Sequence, residues 1–127
     1  MKRVVICGAG FGGIAAAVEL RRHAAQRDLE IVLVDRRADF VMGFRKTWAA
    51  LGVEPLDAGR RSLHDIAGVS VVTGEIGRID ADERAVDVDG RSIEGDALVL
   101  ALGARQAIEA VRGTAEFALN VWDRDQA

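Results

Sequence analysis

Arg3-Val4-Val5-Ile6-Cys7-Gly8-Ala9-Gly10-Phe11-Gly12-Gly13-Ile14 is the stretch that decides the fold. Its first half, Arg3 to Cys7, is a short apolar run of the kind a parallel strand shows when both its faces are covered. Glycines then turn the chain. A helix is predicted from about Gly12 to Gln26, because Ile14, Ala17, Val18 and Arg21 share one face, Glu19 and Arg22 fall elsewhere, and Ala15 and Ala16 add helix propensity. A second apolar run, Glu30 to Val34, ends at Asp35 and is too short and too β-branched for a helix. It is expected to pair parallel to the first strand through a right-handed crossover.

Farther along, Arg36 to Gly68 loses its periodicity. An apolar cluster at Phe40-Val41-Met42, a short helix around Phe44 to Leu51 and a second short helix capped by Asp57 or Ser62 and reaching Ile66 are expected there. Val69 to Thr73 reads as a third strand. From Ile76 to Ile93 apolar residues alternate with charged ones and are punctuated by Asp80-Ala81-Asp82 and Asp89-Gly90, which is hairpin chemistry and predicts a small antiparallel meander. The apolar run Ala97 to Leu102 should return to the parallel sheet and stop at Gly103. Beyond it apolar residues thin out, through Ile108, Val111, Phe117, Leu119, Val121 and Trp122. The fold class is therefore α/β: a Rossmann-like three-layer arrangement with a βαβ start, a parallel sheet and an antiparallel β-meander.

The glycines at 8, 10 and 13 would be weak evidence alone. They gain weight because they follow a strand, open a helix, and have an acid closing the next strand twenty-two positions after Gly13. Gly8 permits the tight turn, Gly10 removes a side chain so that backbone can approach a pyrophosphate, and Gly13 lets the helix pack on the strand. Phe11 and Gly12 complete the turn. Free N–H groups and the helix dipole then face a diphosphate without any lysine. Asp35 is placed to accept from adenosine ribose hydroxyls and would repel a 2′-phosphate, which disfavours NADP. Arg36, counted with the cofactor contacts, and Arg37 pull the other way, since arginine is what a 2′-phosphate needs.

Composition bounds what else the chain can do. In 127 residues, 17 basic and 20 acidic side chains are mixed along the sequence, leaving −3, so nothing invites nucleic acid or an anionic membrane. The apolar start is too short for a signal peptide and no segment reaches the length of a membrane helix, which makes the cytoplasm the expected location. One cysteine forms no internal disulfide, and no cluster of Cys or His suggests a metal. Cys7 ends an apolar run and is expected to be packing rather than a redox thiol. His23 and His64 read as surface or helix-end residues.

The later half carries a resemblance. Val69 to Asp80, the hairpin to Asp89-Gly90-Arg91, and Asp96 to Ala104 resemble the FAD domain of the two-dinucleotide-binding flavoproteins, which include pyridine nucleotide-disulfide reductases, type II NADH dehydrogenases and sulfide:quinone oxidoreductases. The likeness runs from Arg3 to about Val121. It implies FAD, with the backbone near Ile76 bordering the adenine and the strand through Ala101 to Gly103 passing close to the cofactor. Phe40 to Trp48 contains no Cys-x4-Cys pair, so a dithiol relay is excluded within this chain, and the likeness is closer to the NADH dehydrogenase and sulfide:quinone oxidoreductase branch. Leu102 stands where many members have threonine, and Arg112-Gly113 where Pro-Gly is common.

In that family an NAD-binding domain follows the strand ending at Gly103, and the chain then returns to complete the FAD domain. The expectation is therefore one incomplete FAD-binding domain over 1–127, holding the adenosine half of a site and inactive alone. NAD(P)H and a quinone enter only in a full-length context. Arg45 and Lys46 either reach the cofactor phosphates or form a solvated helix face. A free-standing adenine-dinucleotide-binding module without catalysis is the alternative, and self-association through exposed sheet surface a third possibility.

Overall fold

The structure is a computed structural model of the whole chain and describes residues 1–24, 28–118 and 120–122. In order, β1 (Lys2–Cys7), α1 (Phe11–His23) and β2 (Leu29–Asp35) form the opening βαβ unit. They are followed by β3 (Asp39–Val41), α2 (Gly43–Ala50), a 3-10 turn (Leu56–Gly59), β4 (Arg60–Ser62), a second 3-10 turn (Leu63–Asp65) and β5 (Ser70–Thr73). Then come β6 (Ile76–Asp80), β7 (Ala85–Val88), β8 (Arg91–Glu94), β9 (Ala97–Leu100), a third 3-10 turn (Ile108–Ala110) and α3 (Thr114–Phe117). The chain divides into two compact units: 1–40 with 62–103, and 41–61 with the described residues from Ala104 onward.

The first unit is built on a four-stranded parallel sheet in the order β5-β2-β1-β9. The third strand of the sequence reading, the second, the first and the last therefore stand side by side, the order of a mononucleotide-binding half. Alternation along the strands sorts their side chains into two cores. Val4, Ile6, Ile31 and Leu33 pack with Ala9, Ala17 and Leu63 on the face covered by α1. Val5, Cys7, Val32 and Val34 pack with Val86 and Val88 of the meander on the other. Helix, parallel sheet and antiparallel sheet make three layers, as the sequence predicts. Burial of Cys7 raises its thiol pKa, which keeps it a neutral packing group.

The meander has the order β6-β7-β8, antiparallel throughout. Asp89 and Gly90 take φ of 50° and 78°, the pair of left-handed residues that a two-residue type I′ hairpin requires. Boundaries differ from expectation in small ways. α1 ends at His23 and Ala24 is already extended, so the helix stops short of the expected Gln26, while residues 25–27 and Leu119 lie outside the described set.

Of the two caps expected for a short helix reaching Ile66, Ser62 is the one found: it caps a 3-10 turn that closes at Ile66, while Asp57 lies inside a separate 3-10 turn. The strand between them, β4, pairs with β3 in a two-stranded sheet and was not expected. Ser62 does cap, accepting from the His64 N–H at 3.2 Å, but the turn it caps is only three residues long. Arg60-Arg61-Ser62 has no apolar alternation, since all three side chains are exposed, so no strand signal reaches the sequence. No helix among the described residues is long and apolar enough to cross a membrane.

Candidate functional site

The turn between β1 and α1 stands at the C-terminal edge of the sheet, where β1 hands its hydrogen bonding to its neighbours. Gly8 N–H donates to Val34 O at 2.8 Å and Ala101 N–H donates to Cys7 O at 2.8 Å, so β2 and the segment after β9 clamp the turn from both sides. Gly8 has φ +99°, and a Cβ there would lie 2.4 Å from the Ala101 carbonyl oxygen. A Cβ on Gly13 would lie 1.8 Å from Gly8 O, so α1 can sit this close to the turn only without a side chain at 13. Gly10 contrasts with both: nothing stands within 4 Å of where its Cβ would be, and its φ of −79° is open to any residue. Two glycines are needed by the fold. The third keeps a space clear.

Gly10 is also the N-cap of α1. No side chain caps the helix and no acid stands in its first turn, whereas Arg21, Arg22 and His23 occupy the last. The N-terminal backbone donors thus have no side-chain cap, and such a helix end with its positive dipole favours negative charge. Phe11, 64 % exposed, meets Phe40 edge to face with ring centroids 5.1 Å apart. Gly12 sits over Ala101, whose Cβ would be 3.7 Å from one at 12.

Asp35, half-buried at the end of β2, faces this turn. Its Oδ2 accepts from Ala9 N–H at 2.7 Å and its Oδ1 from Arg37 N–H at 3.0 Å, while its carbonyl accepts from Gly74 N–H at 2.9 Å. Arg36 is exposed beside it. Ile76 opens β6 and packs its side chain into the meander core. Gly103, with φ +78°, bends the chain beyond β9.

Lys46 belongs to the second unit and is half-buried. Its Nζ donates to Trp122 O at 2.8 Å and lies 5.4 Å from the centre of that residue's ring. Arg45 pairs with Glu54, lies over the Trp48 ring, and covers Gly59 with its methylenes. Both cations have partners within their own unit, Trp122 standing 76 positions from Lys46 and Glu54 nine from Arg45, contacts that local patterning does not record.

Sequence reasoning missed the backbone of Ala9 and the ring of Phe40. Ala9 contributes an N–H, which no side-chain motif records. Phe40 stands in the sequence as one member of an apolar cluster, and no local period marks its contact with Phe11.

A parallel sheet in this order, a glycine turn at its C-terminal edge and an acid closing the next strand define a dinucleotide-binding α/β domain. Residues 2–127 match the family model described as pyridine nucleotide-disulphide oxidoreductase, and the chain belongs to that family, whose cofactor is FAD. An NADH dehydrogenase-like protein of Mycobacterium tuberculosis is 37 % identical, matched over 100 % of this chain and 33 % of its own length. A type II NADH:quinone oxidoreductase of Staphylococcus saprophyticus is 23 % identical over 94 % of this chain and 31 % of that protein. The sulfide:quinone oxidoreductase of Aquifex aeolicus superposes with a TM-score of 0.89 at 27 % identity, over 99 % of this chain and 30 % of that one. The chain thus spans about a third of the length of the curated relatives it matches.

Proposed function

We propose that this chain supplies the adenosine and pyrophosphate half of an FAD site in a flavin-dependent oxidoreductase of the NADH dehydrogenase and sulfide:quinone oxidoreductase branch. The contrast among the glycines carries the reading. Side chains at 8 and 13 are forbidden by the fold, whereas at 10 the surroundings would accept one, and the approach of a pyrophosphate accounts for the space kept open there beside the helix N-cap. The pyrophosphate would lie against Gly10, Phe11, Gly12 and Gly13 on the uncapped end of α1, where backbone donors and the dipole stabilise negative charge. Asp35 keeps lone pairs for the ribose hydroxyls beside those taken by Ala9 and Arg37. Arg36, the backbone around Ile76, and Ala101 to Gly103 would border the rest of the adenosine half. Lys46 would have to release the Trp122 carbonyl before it could reach a phosphate, so it is left out of the first contacts.

FAD, when bound, supplies the electron chemistry, and the residues of this chain bind and orient it. For the whole protein the proposed activity is electron transfer from NAD(P)H or a small reduced substrate to an acceptor such as a quinone, the reaction type carried in the names of its relatives.

Calorimetric titration of the chain with FAD, NAD and ADP tests the reading. FAD binding much more tightly than ADP supports a flavin site. Equal affinities favour an adenosine-only module instead, and binding of none of the three overturns the proposal.

A further inference from the structure

The geometry points to Asp35 as the positioning residue of the phosphate-binding turn itself, in addition to the ribose contact proposed above. This rests on the adenine-dinucleotide reading but makes a separate claim. Asp35 gathers N–H donors from three segments. Its carboxylate takes Ala9 from the turn and Arg37 from the loop beyond β2, and its carbonyl takes Gly74 from the end of β5. Ala9 lies between Gly8 and Gly10, and is only 5 % exposed. Its N–H has little access to water, so without the carboxylate it would be a buried donor with no partner, a state that the chain escapes by moving the turn.

That link has a consequence for binding. The 2.7 Å bond from Ala9 to Oδ2 orients the peptide immediately before Gly10, and Gly10 and the start of α1 present the donors for the pyrophosphate. Charge-assisted bonds of this kind are roughly twice as strong as neutral ones. The two backbone donors also spread the carboxylate's charge, which lets an acid stand close to a diphosphate at lower repulsive cost. A residue that only held the ribose would affect only ligands that have ribose hydroxyls. A residue that shapes the turn affects the diphosphate end of every ligand.

The test compares the parent chain with Asp35→Ala, using ADP and 2′,3′-dideoxy-ADP as probes. Dideoxy-ADP has no hydroxyl to offer Asp35, so a ribose ligand alone leaves its affinity unchanged. The positioning role predicts about a tenfold weaker dissociation constant for dideoxy-ADP in the variant, with ADP losing at least as much. Amide exchange of Ala9 should accelerate while Val32 to Val34 stay protected, which a general loss of structure would not produce. Equal dideoxy-ADP affinity in parent and variant overturns the inference.

Should Asp35→Ala fail to fold, the parent chain decides alone. Coupling across the hydrogen bond between the Ala9 amide nitrogen and the Asp35 carboxylate carbon must be detectable by NMR, and its absence overturns the claim. Failure of the parent to bind ADP or FAD would instead defeat the nucleotide reading and leave the coupling result standing.

Discussion

Gly10→Ala and Gly13→Ala form the sharpest pair of perturbations. The Cβ introduced at 13 would sit 1.8 Å from Gly8 O, whereas real Cβ atoms essentially never come within 3.0 Å of a neighbour. α1 must therefore back away from the turn by more than an ångström, against the packing of Ile6, Ile14 and Ala17. Forcing extra atoms into a packed core costs about 1–3 kcal/mol, and a rigid backbone oxygen leaves little relief, so the upper end is expected. For a domain of this size that lowers the melting temperature by roughly 10 °C. At Gly10 the same methyl meets nothing within 4 Å, and φ −79° suits alanine. The gain of about 0.4–1 kcal/mol from restricting the unfolded chain is offset by the poorer N-cap, so melting should shift by no more than a few degrees. FAD affinity should nevertheless fall by at least about tenfold, or ~1.4 kcal/mol, because the methyl occupies the approach of the pyrophosphate. Differential scanning calorimetry and titration calorimetry on both variants separate these outcomes. A Gly10→Ala chain that binds FAD as tightly as its parent would refute the placement of the pyrophosphate, and an unchanged melt for Gly13→Ala would refute the helix packing.

Three further outcomes follow from the core and the turns. Leu63→Ala should lose about 2–5 kcal/mol in chemical denaturation, since Leu63 is 1 % exposed and packs under α1; a loss below 1 kcal/mol would contradict its place in the core. Gly90→Ala forces a left-handed φ of 78° on a residue with a Cβ, so it should cost about 1–2 kcal/mol with no change in FAD affinity. Cys7 has a folded pKa raised by burial from 9.0, so the thiol's contribution is fully present below that pH. Stability should decline as pH rises through and above 9.0, where the unfolded thiol ionises first, and Cys7→Ala should remove that part of the decline in denaturant melts taken across alkaline pH.

The second unit shows how a side chain's role can escape the sequence. Lys46 and Arg45 carry charge on a short helix, and by composition they belong either with phosphate or with water. In the structure Trp122 and Glu54 engage them, contacts set by tertiary packing and not by spacing along α2. Leu63 is a similar case: it stands beside exposed Ser62 and His64 in a stretch with no period, and becomes a core residue because its 3-10 turn brings it under α1.

Local rules were sufficient for the βαβ start and the meander. Apolar runs of strand length, glycines at 8, 10 and 13, an acid at 35 and the Asp89-Gly90 turn each act through neighbours close in sequence, so backbone sterics and side-chain alternation make them legible. The strand order, the sorting of Val4 and Ile6 from Val5 and Cys7 onto opposite cores, the β3 and β4 pairing and the bond from Ala9 to Asp35 join residues far apart in the chain. Burial and hydrogen-bond satisfaction are properties of the assembled chain, and for that reason only the tertiary structure could decide them.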